Sequence, residues 1–322
     1  MSNEIYRELF KRHPHNPLLT AEDWPYPCNS VFNAGATKFE DDYLLLVRVE
    51  DHKGFSHLTV ARSFDGITNW RIDPKPTMPP LPEEYPEEMW GIEDPRITRI
   101  EGSDFWAIAY TAFSRGGPLV SLATTRDFKT FDRLGPAMPP DDKDAALFPV
   151  RFDGRWAMLH RPVGSGWMGA HIWVSFSPDL KHWGDHRIVL RARAGGWWDA
   201  NKIGLSPPPL ETPEGWLLLY HGVRHTPSGC IYRLGLALLD RNNLTKVLRR
   251  GDEWVFSPKV PYERDGDVDD VVFPAGWVLE GDMLRIYYGG ADSCIALATA
   301  SLRDVLDYLR QCPEGGEGGT PF

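Results

Sequence analysis

The sequence predicts an all-β chain folded as a five-bladed β-propeller with short terminal helices. Three observations carry that prediction. One strand-and-turn motif occurs five times at intervals of roughly 50 to 60 residues. A second β-rich run lies once in each interval, and no linker or low-complexity tract divides the chain. The alternative is a pair of β-sandwiches with coincidental spacing, and the fivefold recurrence argues against it.

The five motif copies begin at Leu58, Val120, Ile172, Leu234 and Ile295, and each is a short alternating strand. In the first three, a polar turn carrying Asp65, Asp127 or Asp179 leads to Trp70, Phe131 or Trp183. Those aromatic residues are expected to plug one unit against its neighbour. Asp and Gly suit such turns because they tolerate the backbone angles required. The interleaved runs, 43–49, 105–111, 156–160, 216–221 and 284–288, each follow a turn signal rich in Asp, Glu and Gly. A turn signal ahead of an apolar run marks an antiparallel hairpin, and four-stranded antiparallel units repeated five times make a five-bladed propeller.

Two segments depart from the β pattern. Residues 5–10 read as a short amphipathic helix, and residues 302–309 place Leu302, Val305, Leu306 and Leu309 on one helical face. The preferred reading of 302–309 is packing on the propeller rim; a dimer contact there, and hence a homo-oligomer, is the alternative. One propeller domain is assigned to 1–312, because each blade contacts mainly its neighbours even in a long chain. Residues 313–322, with four glycines, are assigned as a flexible tail.

A formal net charge of -10, spread along the chain, disfavours nucleic acid as a partner. No apolar stretch is long enough for a signal sequence or a membrane span, so a cytoplasmic protein with no membrane partner is expected. Cys28, Cys230, Cys294 and Cys312 are far apart and form no Cys-x-x-Cys pair, which reads as reduced structural thiols. Ten histidines include no His-Glu-x-x-His set, so neither a catalytic metal nor a cofactor is expected.

The densest chemical signal is Glu88-Met-Trp-Gly-Ile-Glu-Asp-Pro-Arg96, after a proline-rich loop and before the strand at 97–100. Such a loop can line the mouth of a central channel. Pro95 pushes Asp94 into extended geometry, and Glu93 and Arg96 flank it with charges able to shift its pKa either way. An Asp-Pro turn with Arg96 as its salt-bridge partner explains the segment equally well on its own.

The segment does not stand alone. It occurs with Phe32-Asn-Ala34 and Arg48-Val-Glu-Asp51, Leu147-Phe-Pro149 and His160-Arg-Pro162, Lys202-Ile-Gly204, Tyr220-His-Gly222 and Tyr287-Tyr-Gly-Gly-Ala-Asp292. This set, in this order from about Asn16 to about Leu302, resembles glycoside hydrolase family 130, which contains β-mannoside phosphorylases and some β-mannosidases. The resemblance independently implies a five-bladed propeller. It implies that Asp94 is the catalytic acid, protonating the leaving glycosidic oxygen through the mannose 3-hydroxyl. Asn33, Arg48 and Asp292 match residues that hold the mannosyl ring, although Ala34 stands where some members carry Ser.

An inverting glycosidase needs a second carboxylate to activate water, with the two carboxyl groups about 6.5 to 9.5 Å apart. An inverting phosphorylase needs cations and donors that hold inorganic phosphate in line with the departing sugar. By resemblance, Arg161, Lys202, His221 and Tyr232 are the phosphate-binding set, and Lys143 takes a place where other members have Arg, with Arg151 as a competing candidate. Taken singly, each has a structural reading: surface cations, a hydrogen-bonded strand histidine, a core tyrosine with a polar tip. Pyranose faces stack on flat rings, so Trp90 and the pair Trp197-Trp198 are candidate sugar platforms, with Glu93 and Arg96 as neighbouring polar contacts. Asp199 and Asp269-Asp270 are reserve carboxylates for acceptor binding or for a base.

The expected activity is inverting phosphorolysis of a β-linked manno-oligosaccharide or mannosyl-glucose-type substrate. Inorganic phosphate is the co-substrate, and the products are α-mannose 1-phosphate and a shortened sugar. A β-mannosidase using water is the alternative, and a non-catalytic carbohydrate-binding propeller is the alternative of another class.

Overall fold

The computed structural model describes residues 8–163, 169–227 and 229–315. They form five antiparallel sheets in a ring, one per sequence repeat. Blade I comprises Ser30–Phe39, Asp42–Glu50, Ser56–Ser63 and Arg71–Ile72, and blade II comprises Ile92–Arg99, Trp106–Ser114, Gly117–Thr125 and Asp132–Met138. Blade III comprises Asp142–Leu147, Trp156–Pro162, Ile172–Ser177 and Gly184–Leu190. Blade IV comprises Lys202–Leu205, Gly215–Thr226, Gly229–Leu239 and Val247–Arg250, with Leu210–Thr212 added to its second strand. Blade V comprises Val272–Glu280, Met283–Gly290 and Cys294–Ser301, and its fourth strand is the N-terminal pair Lys11–Arg12.

The recurring sequence motif is the third strand and the corner after it. Asp65, Asp127, Asp179 and Asp240 each accept two backbone N–H groups two and three residues on, closing the same Asx turn four times. The aromatic residue after the turn is the plug that the sequence predicts. Trp70 meets Tyr287 of blade V edge-on at 6.2 Å between ring centroids, and Phe131 and Trp183 pack into the I/II and II/III interfaces.

Each blade buries both faces, so its central strands are near-continuous apolar runs rather than alternating ones. In blade I, Leu44 and Leu46 face blade II while Leu45 and Val47 face blade V. The result is five apolar clusters, one between each pair of adjacent blades.

Helix Leu302–Gln311 forms where expected, capped by Ser301, whose side chain accepts from the Asp304 N–H. Val305 and Leu309 are buried in the IV/V interface and Leu306 is buried as well, each contributing about 1.5 to 3 kcal/mol. The N-terminal helix expected at 5–10 is not seen in its described part, and residues 5–7 lie outside the described residues. Leu9 and Phe10 instead enter the IV/V cluster as irregular chain, with the Leu9 N–H bonded to Val255 O and Phe10 edge-on to Phe256. Of the expected tail, Glu314 bridges Arg249 on the outer strand of blade IV, and residues 316–322 lie outside the described residues. All four cysteines are free thiols. Among the described residues, no helix is long and apolar enough to cross a membrane.

Candidate active site

The first strand of every blade is the innermost, and four of these five strands carry a register shift near the start: Phe32/Gly35, Glu93/Arg96, Lys143/Ala146 and Pro274/Gly276. A β-bulge inserts an extra residue and re-aims its side chain. At the first three, a polar residue takes left-handed φ: Asn33 at 47°, Asp94 at 50° and Asp144 at 55°. Asn and Asp tolerate this region better than other side chains, and such strain costs about 1 to 3 kcal/mol per residue. The same device thus delivers a polar group three times to one end of the channel. Glycines make the room: a β-carbon at Gly289 would overlap Asn33 Oδ1, and one at Gly204 would overlap Asp144 Oδ2 and the His221 ring.

The resulting cavity, about 210 Å³, holds two hydrogen-bonded clusters. In the first, Asp94 Oδ1 accepts from Asn33 Nδ2 at 2.9 Å and from Arg48 Nη1 at 3.1 Å. Glu93 lies 3.4 Å from Arg48 Nη2 and accepts from Lys143 Nζ at 3.1 Å. Burial alone would raise the Asp94 carboxyl, but Arg48, Lys143, Arg96 and the Asn33 hydrogen bond outweigh it and hold it below the usual carboxylate range. Asp292 behaves oppositely: burial, reinforced by Asp94 and two glutamates against Arg48, pushes it up to about 7. Two carboxyls in one cavity are therefore driven apart in acidity.

In the second cluster, Asp144 Oδ2 accepts from Arg161 Nε at 2.8 Å and lies 3.3 Å from His221 Nε2, while Oδ1 accepts from Arg96 Nη2 at 3.2 Å. His221 sits between Phe273 and Tyr232, its ring 4.7 Å and 5.9 Å from theirs. Burial lowers its pKa against the pull of Asp144. Burial and the neighbouring Arg161 lower the Lys202 ammonium, and burial raises the Tyr232 hydroxyl to about 12.

Nine predicted site residues line this one cavity: Asn33, Arg48, Asp94, Lys143, Arg161, Lys202, His221, Tyr232 and Asp292. Lys143 rather than Arg151 is the cation there, because exposed Arg151 stacks over Trp156 at 4.2 Å. Arg96 does not line the cavity. It is 1% exposed and donates to Ser206 O, Leu205 O, Asp94 O and Asp144, which makes it a strut beneath the site. Trp90 also lies off the cavity wall, edge-on to Phe113 at 5.4 Å. Trp198 is a core ring stacked on Tyr220, and Trp197 lies under Arg193 beside a separate depression. Asp199 is fully buried among Arg193, Arg250 and Tyr220, and neither Asp269 nor Asp270 lines the cavity.

Sequence reasoning passed over Asp144. Its signal was Lys-Asp followed by two small residues, like Asn33 before Ala-Gly, since a bulge against a neighbouring strand needs small residues beside the polar one.

Residues 5–311 match the family model Glyco_hydro_130, described as beta-1,4-mannooligosaccharide phosphorylase. The chain is 35% identical over 313 residues to a beta-1,4-mannooligosaccharide phosphorylase of Ruminococcus albus, covering 94% of this chain and 92% of that one. It is 37% identical over 277 residues to a beta-1,2-mannobiose phosphorylase of Listeria innocua, covering 84% and 75%. A solved structure of a Listeria innocua beta-1,2-mannobiose phosphorylase, in complex with beta-1,2-mannobiose, superposes with a TM-score of 0.85 at 31% identity over 94% of this chain and 99% of that one.

Proposed function

This chain belongs to glycoside hydrolase family 130, and on that premise we propose that it is an inverting phosphorylase of β-mannosides. The observation that carries the reading is a set of donors left without hydrogen-bond partners, among the described residues, around one cavity. They are Arg161 Nη1 and Nη2, Lys202 Nζ and the Tyr232 hydroxyl. Four cations line that cavity against three carboxyls; Glu93, off the lining but paired with Lys143 and Arg48, offsets one of them, and protonation of Asp292 restores a positive excess. A local positive excess in a protein of net charge -10 suits a phosphate dianion.

In this reading Asn33, Arg48 and Asp292 hold the terminal mannosyl ring, with Glu93 beside them. Phosphate lies on Arg161, Lys202, His221 and Tyr232, with Lys143 between the two groups. A phosphate oxygen attacks the anomeric carbon as the glycosidic bond breaks on the opposite face. The departing oxygen takes the Asp94 proton through the mannose 3-hydroxyl, and the proton left on the phosphate ester or one from solvent restores the acid. The product is α-mannose 1-phosphate. Asp94 is ionised in the free site, so arrival of the dianion has a second effect: it offsets Lys143 and Arg48 and returns Asp94 toward the protonated form. A hydrolytic reading needs a second carboxylate free to activate water; of the carboxyls lining the cavity, Asp94 and Asp144 are held in ion pairs and Asp292 is driven toward its protonated form.

The test is incubation with β-1,2- and β-1,4-linked manno-oligosaccharides and with mannosyl-glucose, with and without inorganic phosphate. Mannose 1-phosphate formed only with phosphate is the expected result. Free mannose regardless of phosphate would overturn it.

A further inference from the structure

We infer that Asp144 is the positioning residue of the phosphate pocket, fixing Arg161 by its Nε edge and His221 by Nε2 so that the guanidinium fork stays open to the anion. The inference rests on the phosphorylase reading above and goes further, because it assigns the geometry of that pocket to a side chain that never needs to touch phosphate.

Asp144 is 3% exposed and lies among Arg161, Arg96 and His221, which together hold its carboxyl well below the usual carboxylate range despite burial. Buried Arg–carboxylate pairs commonly engage two parallel N–H bonds. Here Asp144 takes only Nε of Arg161, and Nη1 and Nη2 have no protein partner among the described residues although Arg161 is 5% exposed. A guanidinium gripped on one edge keeps its terminal fork for a ligand that binds two donors at once. The backbone supports the arrangement: Asp144 is the left-handed residue of its bulge, and Gly204 opposite leaves the space in which its Oδ2 meets His221.

Two effects of Asp144 on phosphate oppose each other. Its charge repels the anion, so a carboxylate that only balanced charge would weaken binding, and removing it would tighten binding. A carboxylate that sets the direction of Arg161 and His221 does the reverse. The sign of the change therefore separates the two roles.

The experiment measures KM for phosphate and for the mannoside separately in wild type, Asp144→Asn and Asp144→Ala. Asp144→Ala is expected to raise the phosphate KM at least tenfold and leave the mannoside KM within about twofold. Asp144→Asn, which keeps an acceptor oxygen for Arg161 Nε, is expected to fall between. A phosphate KM that is unchanged or lower in Asp144→Ala overturns the inference, as does an equal rise in both KM values. Should Asp144→Ala fail to fold, the melting temperature of Asp144→Asn with and without inorganic phosphate decides. A smaller phosphate-induced shift than in wild type supports the inference, and an equal or larger one overturns it. A wild-type enzyme that makes no mannose 1-phosphate brings down the phosphorylase reading itself, whereas an active wild type with indifferent Asp144 variants brings down this inference alone.

Discussion

Asn33 and Asp94 occupy matching bulges on adjacent inner strands, both in left-handed conformation, and Asn33 Nδ2 donates to Asp94 Oδ1 at 2.9 Å. The carboxyl is thus held from blade I while its own backbone belongs to blade II. Asp94→Asn keeps the size of the side chain and removes the proton donor together with the charge paired with Arg48. Phosphorolysis of a manno-oligosaccharide should fall about 10²- to 10⁴-fold, the usual contribution of a general acid, while the protein, although less stable without the Arg48 ion pair, stays folded at the assay temperature. An aryl mannoside, whose leaving group needs less protonation, should lose much less. An Asp94→Asn enzyme that keeps a tenth or more of wild-type activity on the oligosaccharide would remove Asp94 from its role.

Asp94 is held ionised by cations that phosphate would partly neutralise, which couples its acidity to the co-substrate. The apparent pKa of the acid in the pH profile of turnover should rise when phosphate goes from far below to far above its KM. Profiles that superpose at both concentrations would show that Asp94 does not sense the anion.

Asp292 gives a separate pH signature, in stability. Its folded pKa of about 7 lies above the ordinary 3.8, so the native state binds its proton more tightly than the unfolded chain does. The stabilisation from this group is fully present below the unfolded value and is lost as pH rises through about 7. Asp94, lowered instead, contributes in the opposite window, above its unfolded value. Asp292→Asn should therefore melt higher relative to wild type at pH 8 than at pH 5. Scanning calorimetry giving the same difference at both pH values would refute this.

Blade count was legible because an Asx turn and an aromatic plug recur in sequence at the same corner of several blades, whereas the strand Lys11–Arg12 that completes blade V carries no such signal. The ionic set was legible because whole motifs matched a family. What escaped was decided by contacts between blades. Arg96 and Asp94 are neighbours in sequence, yet the bulge turns Arg96 beneath the site, toward Ser206 O at 2.6 Å in blade IV. Trp90 and Phe113 are far apart in sequence but share a loop bridge, so the indole packs on protein. Leu9 and Phe10 fall four residues after Ile5 and Tyr6, the spacing of a helix face, but the groove beside Phe256 accepts Leu9 and Phe10 as irregular chain.

Two glycines divide the site into halves that can be damaged separately. A methyl at Gly289 meets Asn33, on the sugar side, and a methyl at Gly204 meets Asp144 and His221, on the phosphate side. Gly289→Ala should raise the mannoside KM or lower kcat with little effect on the phosphate KM, and Gly204→Ala should raise the phosphate KM. Displacing a backbone-anchored neighbour by even a few tenths of an ångström shifts reacting groups, and misplacement by about 1 Å costs on the order of 100-fold in rate. Steady-state kinetics with each substrate varied in turn would read the split, and identical patterns in both variants would contradict it.

Ring closure rests on a strand of two residues, Lys11–Arg12, paired with Thr299 and Ala298 on blade V. The backbone bonds continue past this strand, with His13 N–H to Leu297 O and Leu18 N–H to Ile295 O, and the Arg12 side chain adds a buried ion pair. It donates through Nε to Glu263 Oε1 at 2.7 Å, through Nη2 to Glu263 Oε2 at 2.8 Å and to Ser257 O at 2.6 Å, and it lies 4.2 Å over the Phe256 ring. Glu263 is fully buried, so Arg12→Ala leaves a carboxylate stranded away from water. Removing one partner of a buried pair costs about 3 to 5 kcal/mol. The lower end applies here, because Glu263 keeps the Tyr288 hydroxyl and the Lys259 N–H as donors. None of these groups lines the cavity. Arg12→Ala should therefore unfold at clearly lower urea and temperature while its kcat, measured well below the melt, stays near wild type. Unchanged stability would show that the ring is closed by the apolar contacts of Leu9 and Phe10 rather than by this ion pair.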